Sequence, residues 1–507
     1  MPIKFEIYRD GYRLTQFTPI AAMAVGPESV PLPAEVFFRD GHLVVHRSDE
    51  YALGVALLWD MGSAGSFHME TTRVQPREKA YNLNVELARA RLMKIVQKQE
   101  DWNLFDFPTK AEKFTQFNLR FREAQSLFAE ALGKAGTPIE AAKLADQSLA
   151  ISVELSEQLA VFHGELLINR RKAANGFVKH IFGCRVDPLV QNQKYRETAV
   201  SGFDYAVLPT RWKQMQPQEQ TFDAAATDEW VELLEKKRIP IIAGPLIDLT
   251  EGEVPDWMYI WEHDVDTLRE LAHEHVQRVV TRYRKKVSVW NVVAGMHTNS
   301  VFTLSFEQII ELTRLLVAEV KTLLPTARTV VTVKHPFGEY HSRSRASVPP
   351  MLYAEMVAQA GISFEAFGLE WEMGVPLPGL FTRDLFQFSS MLDRFSALSR
   401  PVFLTGLGVP GRPGPDPEDT SEGKLDPAQA GRWKRPWDPE LQAEWIDAAY
   451  RIALSKPYIE SIAWGNLADM NPTLPAGGLL DGMLKPKPGF TKIQELREHF
   501  HQFQRKG

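Results

Sequence analysis

One cysteine, Cys184, stands in 507 residues, so no intrachain disulfide can form and a disulfide-stapled fold is excluded. Excess positive charge is also missing: 58 Lys and Arg face 64 Asp and Glu, for a formal net charge of -6. A chain that must neutralise a phosphate backbone needs the opposite balance, so nucleic acid is not an expected partner. No apolar run approaches the ~18 residues of a membrane span, and no membrane partner is expected. The opening stretch MPIKFEIYRDGYRL carries charges where a secretory signal needs an apolar segment, which reads as a cytoplasmic protein. Nucleotide-binding glycines are missing too. GKAGT at Gly133 to Thr137 lacks the first glycine of a phosphate loop, and no G-x-G-x-x-G follows the first strand of the α/β region described below. No cofactor is expected.

What is present is an ordinary globular composition, 44% hydrophobic and 24% charged, long enough for two to four folding units. Residues 1–78 alternate apolar and polar residues in short runs, two of them broken at Asp10-Gly11 and Asp40-Gly41. Asp-Gly between such runs predicts tight hairpins, because both central turn residues take positive φ. The reading is a small antiparallel, sandwich-like β domain. Over residues 79–174 the period becomes helical, with Val85, Ala88, Leu92 and Val96 on one stripe and Leu155, Leu159, Phe162 and Leu166 on another. Thr137-Pro138-Ile139-Glu140 predicts a capping box at the head of a long helix. This is a helical connector.

Residues 175–507 repeat a short run rich in Val, Ile and Phe, a loop, and an amphipathic helix. Eight such runs begin near Gly183, Phe203, Ile239, Val287, Thr329, Ala366, Pro401 and Ile459. Eight βα units predict a closed (β/α)8 barrel, whose function sits on loops at the C-terminal strand ends; an open doubly wound sheet is the alternative.

At those strand ends the sequence resembles glycoside hydrolase family 10, the retaining β-xylanase barrels, over roughly residues 175–500. FDYAVLPTRWKQMQPQEQTF keeps the spacing of the family's MKW…EP segment at Trp212 and Pro217, with Arg211 for its lysine. VSVWNVVAG resembles WDVVNE, FGLEWEMG resembles GLQ-x-H, and PVFLTGLGV resembles TELD. AWGNLAD stands for WG-x-x-D, and LLDGMLKPKPGFTKIQEL follows the closing pattern that ends in PKPAY.

The resemblance implies that both usual catalytic glutamates are replaced. The acid/base position of WDVVNE falls on Gly295, after Ala294, and the nucleophile of TELD on Gly406, followed by Gly408 for its aspartate. After the third strand AGPLIDLTEGEVPDW keeps only Trp257 of the family's pattern. Retaining hydrolysis needs two carboxylates ~5 Å apart across the scissile bond, and glycine supplies neither.

Other carboxylates remain. Glu370 and Glu372 alternate on the sixth strand and so share a face, and Asp248 ends the third strand roughly across the barrel. Two carboxylates from one strand cannot flank a sugar, but Glu372 with Asp248 makes a candidate acid and base. Partial burial and like-charge repulsion beside Trp371 and Glu370 predict a raised pKa for Glu372, as a general acid requires. Pairing of Glu372 with an arginine such as Arg211 is the competing structural role. His297 and His335, with Glu339 and Asp248, invite a metal reading, but none shows a ligand spacing and no metal is expected. Arg211, Trp212, Trp257, Asn291, His297, His335, Trp371 and Trp464 are the candidate sugar-binding residues, the indoles for stacking on sugar faces. The loop 409–437, with Arg412, Arg432, Trp433 and Trp437, reads as a cover over the cleft or a subunit contact.

Together these features predict a carbohydrate-active protein that binds a polysaccharide or oligosaccharide without the usual retaining mechanism. An active glycosidase with relocated carboxylates and a structural or assembly protein are the alternatives, and whether it is an enzyme is left open, as is a homo-oligomer.

Overall fold

The computed structural model describes residues 1–47, 51–104, 112–344, 346–417, 425–470 and 474–504. Both Asp-Gly hairpins form. Tyr8–Arg9 pairs with Tyr12–Arg13 across Asp10 (φ 51°) and Gly11 (φ 80°), and Glu35–Arg39 with His42–His46 across Asp40 (φ 50°) and Gly41 (φ 72°). Two four-stranded sheets result. One runs Tyr81–Asn82, Ile3–Glu6, His42–His46, Glu35–Arg39, and the other Pro31–Leu32, Met23–Val25, Gly54–Asp60, Ser66–Glu70. All pairings are antiparallel except that of Ile3–Glu6 with Tyr81–Asn82.

Three helices follow, Leu83–Asp101, Glu112–Gly133 and Pro138–Ala173. The last starts where expected, but Thr137 makes no side-chain bond to the helix backbone. Its hydroxyl instead donates to Lys134 O and to Glu140, so the expected capping box does not form. Of the first predicted stripe, Val85, Ala88 and Leu92 are buried while Val96 is 40% exposed and Ile95 takes the inner place. A 3.6-residue period carries position 96 past the edge of the buried face.

Eight parallel strands close the barrel: Phe182–Arg185, Tyr205–Leu208, Ile241–Ala243 continued by Ile247–Asp248, Val289–Ala294, Arg328–Val333, Ala366–Glu372, Val402–Gly408 and Ile459–Trp464. Pairing of Ile242 with Val289 and Ala243 with Trp290 completes the circle and excludes the open sheet. Most strand residues are buried on both faces, which explains their continuous apolar runs. Among the described residues no helix is long and apolar enough to cross a membrane. Cys184 is buried on the first strand.

The N-terminal region and the barrel are joined by buried charge. Arg91, on Leu83–Asp101, is ion-paired with Asp384, both almost inaccessible. Asp384 also caps the barrel helix Leu385–Ser396 in a capping box with Gln387. The described part of the 409–437 loop docks within the chain: Ser66 and Arg432 form a β-bridge, Arg432 reaches Asp60 at 3.0 Å, and Trp433 Nε1 donates to Glu157 at 2.8 Å. Trp433 and Trp437 are buried in this packing.

Removing one member of a buried pair strands the other's charge, at a cost of about 3–5 kcal/mol, whereas removing both costs less. Arg91→Met should therefore lower the urea unfolding midpoint clearly, and adding Asp384→Asn should restore part of it. An unchanged midpoint in the single variant would show that this pair does not join the two regions.

Candidate active site

The C-terminal strand ends bring a chain of alternating charges together. Asp248 Oδ2, ending the third strand, accepts from Lys334 Nζ at 3.1 Å, just past the fifth. Lys334 Nζ lies 3.7 Å from Glu370 Oε1, and Glu370 Oε2 accepts from Arg185 Nη2 at 2.7 Å. Arg185, closing the first strand, reaches Glu372 Oε1 through Nη1 at 3.7 Å. The order is Asp248, Lys334, Glu370, Arg185, Glu372.

Glu370 and Glu372 do share a face, since both meet the same guanidinium. Glu370 is not a carboxyl with a raised pKa. Burial pushes its carboxyl up, but Arg185, Lys334, His335 and Arg211 outweigh that and hold it well below the usual carboxylate range. Lys334, in turn, is raised despite burial by Asp248, Glu370 and Glu253. Glu372 takes Arg185 as its ion-pair partner, whereas Arg211 Nε lies 3.6 Å from Glu253 Oε2.

The two glycines are where the charges crowd in. A Cβ on Gly406 would run into Arg185 Nη2, and one on Gly295 into Thr250 Oγ1 and Asp248 Oδ1. Gly295 also has φ 59°, a left-handed conformation costly for a glutamate. Asp248 Oδ1 is held by Thr250 N at 2.9 Å.

Three of the four tryptophans lie in packed layers. Because Glu370 and Glu372 face inward, strand alternation sends Trp371 outward, where Phe337 and Phe388 meet it edge-on at 4.9 and 4.8 Å between centroids. Trp464 is fully buried and donates to Gly477 O at 2.9 Å. Trp212 is 3% exposed, stacks on His275 at 5.2 Å and donates to Gln216 Oε1. These indole faces are covered by protein. Trp257 is half-buried, with Nε1 on Gln216 O at 2.9 Å. Asn291 is buried and accepts from Thr332 Oγ1 at 2.8 Å. His297 is fully buried, hydrogen-bonded through Nε2 to Lys334 O at 2.8 Å and stacked on Tyr353. Burial pushes His297 and His335 down to about 4, so both are neutral at pH 7. Glu339 turns away to Arg383 and Gly379 N. Among the described residues no three His, Cys, Asp or Glu side chains are arranged to hold a metal.

Sequence reasoning missed Arg185, Lys334 and Glu253. A charged residue closing an otherwise apolar run, as in FGCR and TVVTVK, is the signal that marks the first two.

The sequence model of glycosyl hydrolase family 10 matches residues 170–308, from the end of Pro138–Ala173 through the fourth strand into Phe306–Leu323. The barrel is family 10-like. Similar solved structures include native xylanase 10B from Thermotoga maritima, 17% identical over 66% of this chain and 99% of that one, TM-score 0.47. Xylanase 10B from Thermotoga petrophila RKU-1 in complex with xylobiose is 17% identical over 64% and 95%, TM-score 0.46. An intracellular xylanase from Thermoanaerobacterium saccharolyticum is 14% identical over 62% and 95%, TM-score 0.43. No curated protein matches the chain.

Within this family 10-like barrel Glu370 ties stability to pH through Arg185 and Lys334. Glu370 has a folded pKa below its unfolded value of ~4.3, so it adds stability above that pH and loses it as pH falls towards the folded value. Arg185→Met should lower stability at pH 7 by about 3 kcal/mol and flatten the fall in urea midpoint below pH 5. Parallel pH profiles for the two proteins would remove Arg185 from that role.

Proposed function

We propose that the protein binds carbohydrate chains at the mouth of its family 10-like barrel and does not hydrolyse them by the retaining route. The observation that carries this reading is the placement of Arg185. Its guanidinium fills the space beside Gly406, the position the family resemblance assigns to the nucleophile, and it is paired to Glu370. On the opposite side Asp248 and Thr250 crowd Gly295, the position assigned to the acid/base. A cation beside the sugar carbon offers no electron pair, so no glycosyl-enzyme bond can form there by the ordinary step.

The groups left for sugar hydroxyls are Arg211, Trp257 and His335, half-buried around the charge chain, with Glu372 and Asp248 as acceptors. Ion-paired carboxylates and neutral histidines hydrogen-bond hydroxyls without moving a proton. Cys184, whose thiol burial pushes up, is inert in this scheme and suits a cytoplasmic chain.

The second reading is a glycosidase with relocated carboxylates. Glu372 favours it by its position: Oε1 would lie 2.9 Å from a Cβ on Gly465, so the carboxylate fits there because that position is a glycine. Loss of Arg185 from Glu372 on substrate binding would free it as an acid, with Asp248 as its partner.

The unmodified protein should bind xylo-oligosaccharides in calorimetry and leave xylan and aryl xylosides uncleaved. Turnover with retained anomeric configuration through a trapped covalent intermediate would overturn the binding reading. If turnover with any other stereochemistry occurs, Glu372→Gln should lower it by about two to four orders of magnitude; an unchanged rate would make Glu372 structural.

A further inference from the structure

Away from the barrel mouth, a cavity of about 130 Å³ lies where the N-terminal sheet, the helix Leu83–Asp101 and the barrel helix Leu385–Ser396 meet. Its wall includes Lys94, Arg383 and Arg394, with Ser29, Ser390 and His68 among the polar groups. Glu70 is the carboxylate on this wall, and it is already saturated. Lys94 Nζ is paired with it, Arg73 Nη2 donates to it at 3.1 Å and Ser29 Oγ at 2.7 Å.

The remaining donors lack acceptors. Arg394 makes no side-chain hydrogen bond or ion pair among the described residues; Glu28 and Glu355 act on it only through space, and burial lowers its pKa. Ser390 Oγ and Arg383 Nε are buried without a partner. Arg383 otherwise spends its guanidinium on Glu339 and on His68, donating to His68 Nδ1 at 2.7 Å and His68 O at 2.9 Å. His68 Nε2 bonds Ala21 O at 2.9 Å, so the ring is neutral, and burial and Arg383 push it down to about 4. Burial, Arg383 and Arg394 likewise hold Lys94 down to about 8 against the pull of Asp384. Lys94, Arg383 and Arg394 thus face one cavity: Lys94 shares Glu70 with Arg73, Arg383 is paired with Glu339 but keeps an unpartnered Nε, and Arg394 has no carboxylate of its own among the described residues. Unsatisfied buried donors are costly.

We propose that this cavity is a binding site for a tetrahedral oxyanion, a phosphate or sulfate group, held by Arg394, Lys94 and Ser390. A cavity of about 130 Å³ has space for one such group. Arginine presents paired donors to two oxygens of the anion, lysine adds a point charge, and the serine hydroxyl donates to a third oxygen. An anion here would join the connector helix Leu83–Asp101 to the barrel helix Leu385–Ser396 through one ligand. The site is independent of the carbohydrate reading and uses none of its residues.

The test is thermal unfolding and calorimetry of the whole chain with inorganic phosphate, sulfate, and sodium chloride at matched ionic strength. Phosphate or sulfate should raise the unfolding midpoint beyond the chloride control, and the arm with the larger shift identifies the preferred anion. Arg394→Gln and Lys94→Met should each weaken binding at least about tenfold, the worth of a charge-assisted hydrogen bond. Lys492→Gln, on an exposed face of the C-terminal helix, should bind like the unmodified protein. Should Arg394→Gln fail to fold, Ser390→Ala supplies the same comparison with a smaller change. Equal binding by these variants and the unmodified protein, or no effect beyond chloride, would overturn the proposal.

Discussion

Arg185 closes the first barrel strand and leans across the mouth into the space beside Gly406, and the neighbouring charges take their states from that position. A buried guanidinium needs carboxylates, and strand alternation on Ala366–Glu372 supplies two on the same face. Glu370, gripped by Arg185 and drawn by Lys334, is kept ionised in a buried place where it would otherwise hold a proton. Lys334 keeps its own proton because Asp248 and Glu370 lie on either side. Remove the guanidinium and the sequence of charges has two adjacent carboxylates with one lysine between them and Asp248, an arrangement that burial would push towards neutrality.

The barrel was legible because its signals are local and repeated. Continuous apolar runs buried on both faces, spaced by helices, have few other solutions. The Asp-Gly hairpins were legible for the same reason: positive φ at two successive residues leaves little choice of sequence. The mouth was harder to read. That Glu370 and Glu372 face one way follows from alternation, but which cation they meet depends on the first strand, 185 residues earlier for Glu370 and Arg185. No local pattern encodes that distance. Trp371 shows the converse, since the alternation that brings the carboxylates inside excludes the indole between them. At Thr137 the pattern of a capping box was present, yet the hydroxyl turned to Lys134 O and Glu140, because an exposed helix start leaves the choice to small energy differences.

Buried charge also joins the regions that surround the barrel. Arg91 with Asp384, Arg383 with Glu339 and His68, and Trp433 with Glu157 each tie an N-terminal or connector element to a barrel helix or loop. An apolar seam would give similar burial with less demand on alignment. Paired buried groups tolerate few alternatives, because a shifted helix leaves a charge without its partner at a cost of several kcal/mol. Glu157 illustrates the tension: burial and the nearby charge of Asp384 raise its pKa to about 7, even though Leu385 N and Trp433 Nε1 both donate to it.

The same physical chemistry therefore acts twice, with different results. Around the barrel helices the pairs Arg91 with Asp384 and Arg383 with Glu339 are closed off, and they fix how the elements sit. At the mouth they are paired but reachable, with Arg185, Glu370 and Glu372 retaining 14%, 18% and 11% of their side-chain accessibility. A polyhydroxylated ligand competes for such groups on favourable terms, because each hydroxyl both donates to a carboxylate and accepts from a cation, leaving the ion pairs satisfied. A displacement reaction demands the reverse, a carboxylate released from its cation and aimed at carbon. At this mouth Arg185, 2.7 Å from Glu370 and 3.7 Å from Glu372, keeps both carboxylates in ion pairs rather than released.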